Sequence, residues 1–167
     1  MDSEIHVREI LPSEENSIRE LFERNLSIDQ EFFHLAFSDA LKRALNQQGA
    51  NLTAMHSEQV VGSVSLRGFV YARKRVGLID AIITEKSLRG RGIGKSLLDA
   101  ALSWFKERDY KIVYATVDKH NSSSWRLFTH KGFLLSDFRG QLRDLGLNLI
   151  RLWLAEFGQK PNLFIHL

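Results

Sequence analysis

Two adjoining stretches decide how this chain folds: Leu78-Ile-Asp-Ala-Ile-Ile-Thr84, and then Glu85-Lys-Ser-Leu-Arg-Gly-Arg-Gly-Ile-Gly-Lys-Ser96. The first stretch is apolar except for one acid, Asp80, and its last residue, Thr84. Such a run is typical of a central strand that is covered on both faces. From Ile93 to Arg108 the apolar residues recur at helical spacing. The sequence therefore predicts a strand, a glycine loop and a helix in succession.

The loop between this strand and this helix has the chemistry of an anion site. Its glycines, at positions 90, 92 and 94, lack a Cβ, so the loop can take positive φ and a ligand can approach its backbone. The free N–H groups of the helix's first turn, and the positive end of its dipole, meet there. Three basic side chains lie among the glycines: Arg89, Arg91 and Lys95. The loop thus predicts a site for a phosphate-bearing cofactor.

Spacing separates three motifs that could use such a loop. The phosphate loop of nucleotide triphosphatases fails because its first glycine would fall on Arg89. The dinucleotide fingerprint fails because the third glycine comes one residue early, at Gly94. The pattern Arg-x-x-Gly-x-Gly, from Arg89 to Gly94, does fit. It resembles the acetyl-coenzyme A (acetyl-CoA) pyrophosphate loop of the GCN5-related N-acetyltransferase (GNAT) superfamily.

A second block strengthens the resemblance. After another predicted strand, Lys111 to Val117, the chain reads Asn121-Ser-Ser-Ser-Trp-Arg-Leu-Phe-Thr-His-Lys-Gly-Phe133. This is similar to the family's second signature, an Asn that opens a short helix closing on Gly-Phe. The alternative, a glycine turn in any strand-to-helix unit, explains Gly92 and Gly94 but neither Arg89 nor this block.

The resemblance implies an α/β fold, of the mixed α+β kind. Its GNAT-type mixed sheet has two central strands that splay apart, and helices flank it. We expect one domain over residues 1–167, with a cofactor core at 78–133 and a C-terminal strand and tail at 148–167. Periodicity adds strands at 5–10, 52–56, 60–66 and 133–138, and helices at 13–26 and 29–48. Residues 148–156 satisfy both helix and strand templates, and the family pattern favours a last strand. The apolar end at 163–165 could dock on the body or on a second subunit.

The family's members bind acetyl-CoA in the gap between the splayed strands and pass its acetyl group directly to an amine. The resemblance implies these contacts: Ile82, Ile83 and Thr84 at the pantetheine and thioester; Arg89, Gly90, Arg91, Gly92, Ile93, Gly94 and Lys95 at the pyrophosphate; Asn121, Ser124 and Phe128 along the pantetheine. The expected function is an N-acetyltransferase. The alternative is a catalytically weak module that binds acyl-CoA as a sensor or regulator. A nucleotide-binding or nucleic-acid-binding domain ranks last because its required spacings fail.

The reaction needs a base, since a lysine-like ammonium of pKa about 10.4 must lose a proton before it attacks. Asp80 is our candidate, because relatives often carry a Glu at this position on the strand beside the thioester. Its structural alternative is an ion pair with a neighbouring Arg or Lys. Glu85 is the second choice, although a solvated strand end also suits it.

The acid is where the sequence departs from the family. Relatives often have a Tyr seven residues after the signature Asn, and Phe128 stands there, which cannot donate a proton. His130 is a weak candidate in its place, Tyr114 is another, and each also suits a structural role. Water could protonate the thiolate as well, so the identity of the acid stays open.

Composition limits the other classes of function. The chain has 167 residues, no cysteine and a net charge of +3, with acids and bases interspersed. Disulfides and thiolate metal sites are excluded, and the histidines lack metal-ligand spacing, so we expect no metal. Without a signal region or a membrane-length apolar run, we expect a cytoplasmic protein that binds neither membranes nor nucleic acid. The sequence does not decide whether the acceptor is a small-molecule amine or a protein amine. It also does not decide whether the chain forms a homodimer through the last strand or tail.

Overall fold

The computed structural model describes residues 5–25, 49–71, 73–118, 120–146 and 162–167. Within them the chain forms seven strands and four α-helices. In order these are β1 (His6–Glu9), α1 (Glu15–Asn25), β2 (Gly49–His56), β3 (Gln59–Tyr71), β4 (Lys74–Thr84), α2 (Ile93–Glu107), β5 (Tyr110–Ala115), α3 (Ser122–His130), β6 (Leu134–Leu135), α4 (Phe138–Leu145) and β7 (Leu163–His166). The helix predicted at 29–48 and the strand predicted at 148–156 lie outside the described residues.

The strands form a mixed sheet in the order β1-β2-β3-β4-β5-β7-β6. β4 and β5 run parallel, with α2 as the crossover between them, while β1–β2, β2–β3, β5–β7 and β6–β7 are antiparallel. Parallel neighbours need such a long connection, which the predicted strand, loop and helix supply. The predicted α/β fold with a mixed sheet and flanking helices is confirmed.

The chain divides into two compact units. The first contains Met1–Arg67 and Asp80–Trp104, and the second contains Gly68–Ile79 and Phe105–Leu167. In the first unit, α1 buries an apolar stripe against the sheet, and this core consists of Ile18, Leu21, Phe22, Met55, Val60 and Ile83. In the second unit the core consists of Val76, Leu78, Ile112 and Tyr114, with Phe69 and Phe164 packed against it.

The helix that follows the glycine loop is buried along the predicted stripe. Ile93, Leu97, Leu98, Ala101 and Phe105 are each at most 2% exposed. In the first unit its beginning packs closely on β3, since a Cβ added at Gly62 would lie 2.9 Å from side-chain atoms of both Ile93 and Leu97. The absence of a side chain at Gly62 therefore sets how closely the start of α2 approaches the sheet.

The region after Phe133 differs from the prediction. The strand expected at 133–138 is wrong beyond Leu134–Leu135, because Asp137 instead caps a helix: its Oδ1 accepts a hydrogen bond from the Gly140 N–H at 2.7 Å. The sequence does not predict this helix, α4. Its buried face carries polar residues, Gln141 and Asp144, while Leu142 is 47% exposed.

The end of the tail docks on the chain's own sheet. Leu163–His166 forms β7, which pairs antiparallel with β5 on one side and with β6 on the other. Ile112 is opposite His166, and Leu134 is opposite Phe164. Of the two expected docking sites for the apolar tail, the body of the same chain is the one observed.

Two features of other protein classes do not occur in the described ranges. None of the helices there is long and apolar enough to cross a bilayer. No group of three or more His, Cys, Asp or Glu side chains there could hold a metal ion.

Candidate cofactor and active site

The loop before α2 has an open backbone at its glycines. Gly90 and Gly92 have φ values of 83° and 82°, in the region that other residues rarely adopt. A Cβ on either would meet no atom within 4 Å, so conformation rather than crowding requires glycine there. The first hydrogen bond of α2 joins the Ser96 N–H to the Gly92 carbonyl at 2.9 Å. The N–H groups of residues 93–95 therefore have no acceptor within the helix.

The charged residues of this loop from Arg89 to Lys95 are all basic. Arg89, Arg91 and Lys95 are exposed, and the first turn of α2 contains no acidic residue. Positive side chains and the positive end of a helix dipole both stabilise a bound anion. The predicted pyrophosphate residues from Arg89 to Lys95 are thus brought together as one open, positively charged loop in the first unit.

The end of β4 lies just before this loop. β4 pairs with β5 from Arg75 to Ile79, and within the described part of β5 no residue is in register with Asp80–Thr84. Ile83 is buried in the core of the first unit, whereas Ile82 and Thr84 are half-buried. The side chain of Ile83 is therefore a packing group, and only its backbone could serve a cofactor.

Asp80, the candidate base, is held by a guanidinium. Arg67 Nε donates to Asp80 Oδ2 at 2.5 Å, and Arg67 Nη2 donates to Oδ1. Each side chain is 11% exposed. This is the ion pair that the sequence left open as the structural alternative. Nothing in the sequence singles out Arg67, because the pairing of β3 with β4 brings it to a residue thirteen positions later.

Glu85, the second choice, is part of a different contact. Its Oε2 accepts from Asn25 Nδ2 at 3.3 Å and lies 3.5 Å from Arg24 Nη2. Asn25 is buried, and its Oδ1 accepts a hydrogen bond from the Lys86 N–H at 2.7 Å. Together Asn25 and Glu85 join the end of α1 to the start of the cofactor loop. No sequence motif indicates a role for Asn25.

The second signature forms a capped helix in the second unit. Asn121 caps α3, with its Oδ1 accepting from the Ser124 N–H at 3.0 Å. Phe128 is 4% exposed, and its ring meets the edge of Phe133 with centroids 4.9 Å apart. His130 is exposed in the last turn. The structure therefore gives Asn121 a capping role and Phe128 a packing role, while contact of either with a cofactor stays a prediction.

Tyr114, the other acid considered, is buried on β5. Its hydroxyl donates to Asp144 Oδ2 at 3.0 Å. Burial, and then the negative charge and the hydrogen bond of Asp144, raise the pKa of Tyr114 above the ordinary tyrosine value. A hydroxyl that holds its proton so firmly is a poor donor to a thiolate, so Tyr114 is a weak substitute for the family's acid.

The sequence profile described as "Acetyltransferase (GNAT) family" matches residues 15–133, which is most of the chain. The matched range contains both the glycine loop and the Asn121 helix. No curated protein sequence matches this chain.

Solved structures share the fold at low sequence identity. A transcriptional regulator from Bacillus halodurans C-125 is 20% identical, with a TM-score of 0.68 over 80% of this chain and 95% of its own. The PaiA N-acetyltransferase from Thermoplasma acidophilum, in complex with coenzyme A (CoA), is 15% identical, with a TM-score of 0.69 over 80% and 92%. Arabidopsis thaliana Naa50, in complex with a bisubstrate analogue of CoA and a peptide, is 16% identical, with a TM-score of 0.64 over 80% and 85%.

Proposed function

Because this chain belongs to the GNAT family of acetyltransferases, we propose that it transfers the acetyl group of acetyl-CoA directly to a primary amine. The observation that carries the proposal is the glycine loop before α2. Its positive-φ glycines, free N–H groups and basic side chains suit a pyrophosphate, and its residues match the family's cofactor motif. Two relatives in fold, PaiA and Naa50, are complexes with CoA or a CoA analogue, which supports the choice of cofactor.

In this proposal the pyrophosphate is bound by the backbone N–H groups from Gly90 to Lys95 and by the basic side chains among them. The backbone of residues 82–84 binds the pantetheine and orients the thioester, with Asn121 and Ser124 as further contacts. The loop fits this role because it is open at the glycines and carries no acidic residue in the helix's first turn. Acetyl-CoA supplies an activated thioester, whose acetyl group moves to nitrogen as the C–N bond forms and the C–S bond breaks.

Asp80 is proposed to accept, directly or through water, the proton that the amine loses. The Arg67 guanidinium keeps this carboxylate fixed, although it also occupies one lone pair on each oxygen. A carboxylate oxygen can accept more than one hydrogen bond, so the ion pair with Arg67 does not by itself prevent Asp80 from accepting a proton. The departing thiolate then takes up a proton from water, since neither Phe128 nor Tyr114 is suited to give one.

Thermal unfolding tests the cofactor. The midpoint is measured with acetyl-CoA, CoA, ATP and NAD at equal concentration, for the wild type and for Arg89→Gln with Gly92→Val. A ligand at about 100 times its dissociation constant stabilises the native state by roughly 2.7 kcal/mol, so acetyl-CoA should raise the wild-type midpoint by several degrees. The double variant should lose that rise. An absence of any rise with acetyl-CoA at saturating concentration would contradict the proposal.

Steady-state kinetics with a panel of amines tests the base. Asp80→Asn should lower kcat about 100-fold or more and leave acetyl-CoA binding unchanged, because base catalysis commonly contributes that much. Glu85→Gln should change kcat far less, since its carboxylate holds Asn25 and Arg24. An Asp80→Asn variant with wild-type kcat would assign Asp80 a purely structural role.

The second candidate function is a module that binds acyl-CoA without efficient turnover. The observation that favours it is Phe128, which stands where relatives often have a tyrosine and is packed in the core. The two experiments separate the candidates: a chain that acetyl-CoA stabilises, but that acetylates no amine of the panel, is a binding module.

A further inference from the structure

The side chain of Asn25 connects the last residue of α1 with the segment where β4 ends and the cofactor loop begins. Asn25 is 6% exposed. Its Nδ2 donates to the Leu21 carbonyl at 2.7 Å and to Glu85 Oε2 at 3.3 Å, and its Oδ1 accepts from the Lys86 N–H at 2.7 Å. All of these residues belong to the first unit. The amide therefore uses its amino group and its carbonyl at once, and each of them binds a residue at the entry of the loop.

Glu85 and Lys86 are also the start of the turn that leads to the cofactor motif. The Glu85 carbonyl accepts from the Leu88 N–H at 3.0 Å. The Lys86 carbonyl accepts from the Arg89 N–H at 3.3 Å, which completes a short 3₁₀ turn. Arg89 is the first residue of the motif. The position of the motif therefore depends on how firmly Glu85 and Lys86 are held.

Asn25 is the buried part of this attachment. Arg24 also approaches Glu85, with Nη2 3.5 Å from Oε2, but the Arg24 side chain is 52% exposed, so water screens this ion pair. Removing one partner of a buried hydrogen bond is more costly, because the other partner is left unsatisfied. Without Asn25, the Lys86 N–H would have to turn toward water to find an acceptor, and the entry of the loop would turn with it.

We propose that Asn25 is a positioning residue of the cofactor site: by fixing Glu85 and Lys86, it orients the backbone that binds CoA and so sets the affinity for CoA. The inference rests on the proposed function and extends its site to a residue outside both signature motifs. The proposed pantetheine contacts at 82–84 precede the fixed pair, and the proposed pyrophosphate contacts at 89–95 follow it. A shift of the pair would displace both sets of contacts, and should therefore change binding more than the chemical step.

Calorimetric titration with CoA tests this role. Asn25→Leu, which nearly keeps the side-chain volume, should weaken CoA binding about tenfold, the loss expected when the hydrogen bonds of one buried group are removed. The matched control is Asn51→Leu, at a second buried asparagine of the first unit, whose Oδ1 accepts from Ser65 Oγ. Circular dichroism checks that both variants are folded at the temperature used. The control should keep wild-type affinity. Equal weakening in both variants, or wild-type affinity in Asn25→Leu, would overturn the inference.

An exchange of donor and acceptor keeps the test decisive if Asn25→Leu does not fold. Asn25→Asp preserves the acceptor for the Lys86 N–H but places a second carboxylate beside that of Glu85, so CoA binding should weaken at neutral pH. Adding Glu85→Gln restores a hydrogen bond with its direction reversed, and should recover most of the affinity. Glu85→Gln alone should bind CoA nearly as well as the wild type. Strictly additive effects of the two changes would overturn the inference, because interacting positions give coupled effects.

Amide hydrogen exchange of the free protein distinguishes a fixed loop from a purely local contact. The acceptor of the Leu88 N–H is the Glu85 carbonyl rather than Asn25. If Asn25 holds the turn, Asn25→Leu should make the Leu88 amide exchange about fivefold faster or more, since local opening becomes easier. The Ile10 amide, which donates to the Asn51 carbonyl at 3.0 Å in the same unit, is the internal control and should keep its rate. An unchanged rate at Leu88 would contradict the inference.

Failure of the inference differs from failure of the proposed function. Calorimetry needs no turnover, so a chain that binds CoA but acetylates no amine still tests Asn25. A wild type that does not bind CoA would overturn the proposed function, whereas equal affinity of the wild type and Asn25→Leu would overturn the inference alone. Where turnover is measured, Asn25→Leu should raise the KM for acetyl-CoA about tenfold with little change in kcat, the pattern of lost binding.

Discussion

At the scale of single residues, two ion pairs show how burial changes the contribution of a charge to stability. The Arg67 and Asp80 side chains are each 11% exposed, whereas Lys111 and Asp109 are 60% and 79% exposed. Water screens the second pair, so this pair contributes little to the net stability of the fold. The first pair has lost most of its water, so each charge depends on the other.

We therefore predict unequal costs when one cation of each pair is removed. Arg67→Met should lower the free energy of unfolding by about 3 kcal/mol, because it removes the guanidinium that pairs with a carboxylate that is only 11% exposed. Lys111→Met should lower it far less, because water screens this exposed pair. Urea denaturation at neutral pH measures both, and Arg67→Met with Asp80→Asn should regain part of the loss. A cost for Arg67→Met as small as that for Lys111→Met would show that Asp80 is well solvated.

The contact between Arg8 and Glu14 predicts a pH dependence. Arg8 donates to both carboxylate oxygens, at 2.9 and 2.5 Å, and this hydrogen bonding lowers the pKa of Glu14 from its ordinary value. A carboxylate with a lowered folded-state pKa stabilises the fold above its unfolded value, near 4.3, and loses that effect as the pH falls through the folded value. Glu14→Gln should thus cost about 1 kcal/mol at pH 7, and this cost should shrink as the pH falls below about 4.3. Urea denaturation across this range measures the difference, and a cost that does not fall with pH would contradict the assignment.

At the scale of elements, the sequence was most informative where structure is local. The β4 strand, the glycine loop and α2 follow one another, and their apolar pattern and turn residues point to the same structure. Helix α4 escaped prediction because its buried side carries Gln141 and Asp144 while Leu142 is exposed, the reverse of the usual pattern. Only contacts with distant residues, such as the Tyr114 hydroxyl on Asp144, make that polar face compatible with burial.

The residues of the candidate site also form two groups, those that are neighbours in the sequence and those that only the fold brings together. The residues of the predicted pyrophosphate loop are consecutive, so their spacing alone is enough to propose them. Arg67 and Asn25 could not, because strand register and helix packing bring them to Asp80 and Glu85. Neither register nor packing is encoded in a short motif. The partners that fix the candidate bases were therefore visible only once the fold was known.

The close approach of α2 to β3 gives a prediction at this scale. A Cβ at position 62 would lie 2.9 Å from atoms of Ile93 and Leu97, both buried. Gly62→Ala should cost about 1 to 3 kcal/mol through overpacking, and should weaken acetyl-CoA binding because the start of α2 shifts. Calorimetry with acetyl-CoA and urea denaturation measure the two effects, and a Gly62→Ala variant as stable as the wild type would contradict the packing argument.

At the scale of the whole molecule, three elements continue from one compact unit into the other. The boundaries between the units fall within β3, within β4 and within α2. Each of these elements is continuous across the boundary, so unfolding one unit alone would break a strand or a helix in its middle. We therefore expect the two units to unfold together, as the prediction of one domain requires.

Two tryptophans, one in each unit, can test this expectation. The Trp104 indole donates to Glu9 at 2.9 Å in the first unit, and the Trp125 indole donates to the Asp118 carbonyl at 3.0 Å in the second. Variants that keep a single tryptophan, Trp125→Phe with Trp153→Phe or Trp104→Phe with Trp153→Phe, report on each unit separately. Fluorescence and circular dichroism of one variant should give the same urea midpoint, because coincident transitions mark two-state unfolding. If the Trp125 signal of its variant changes well before the loss of secondary structure, the second unit unfolds independently and the chain is not one cooperative domain.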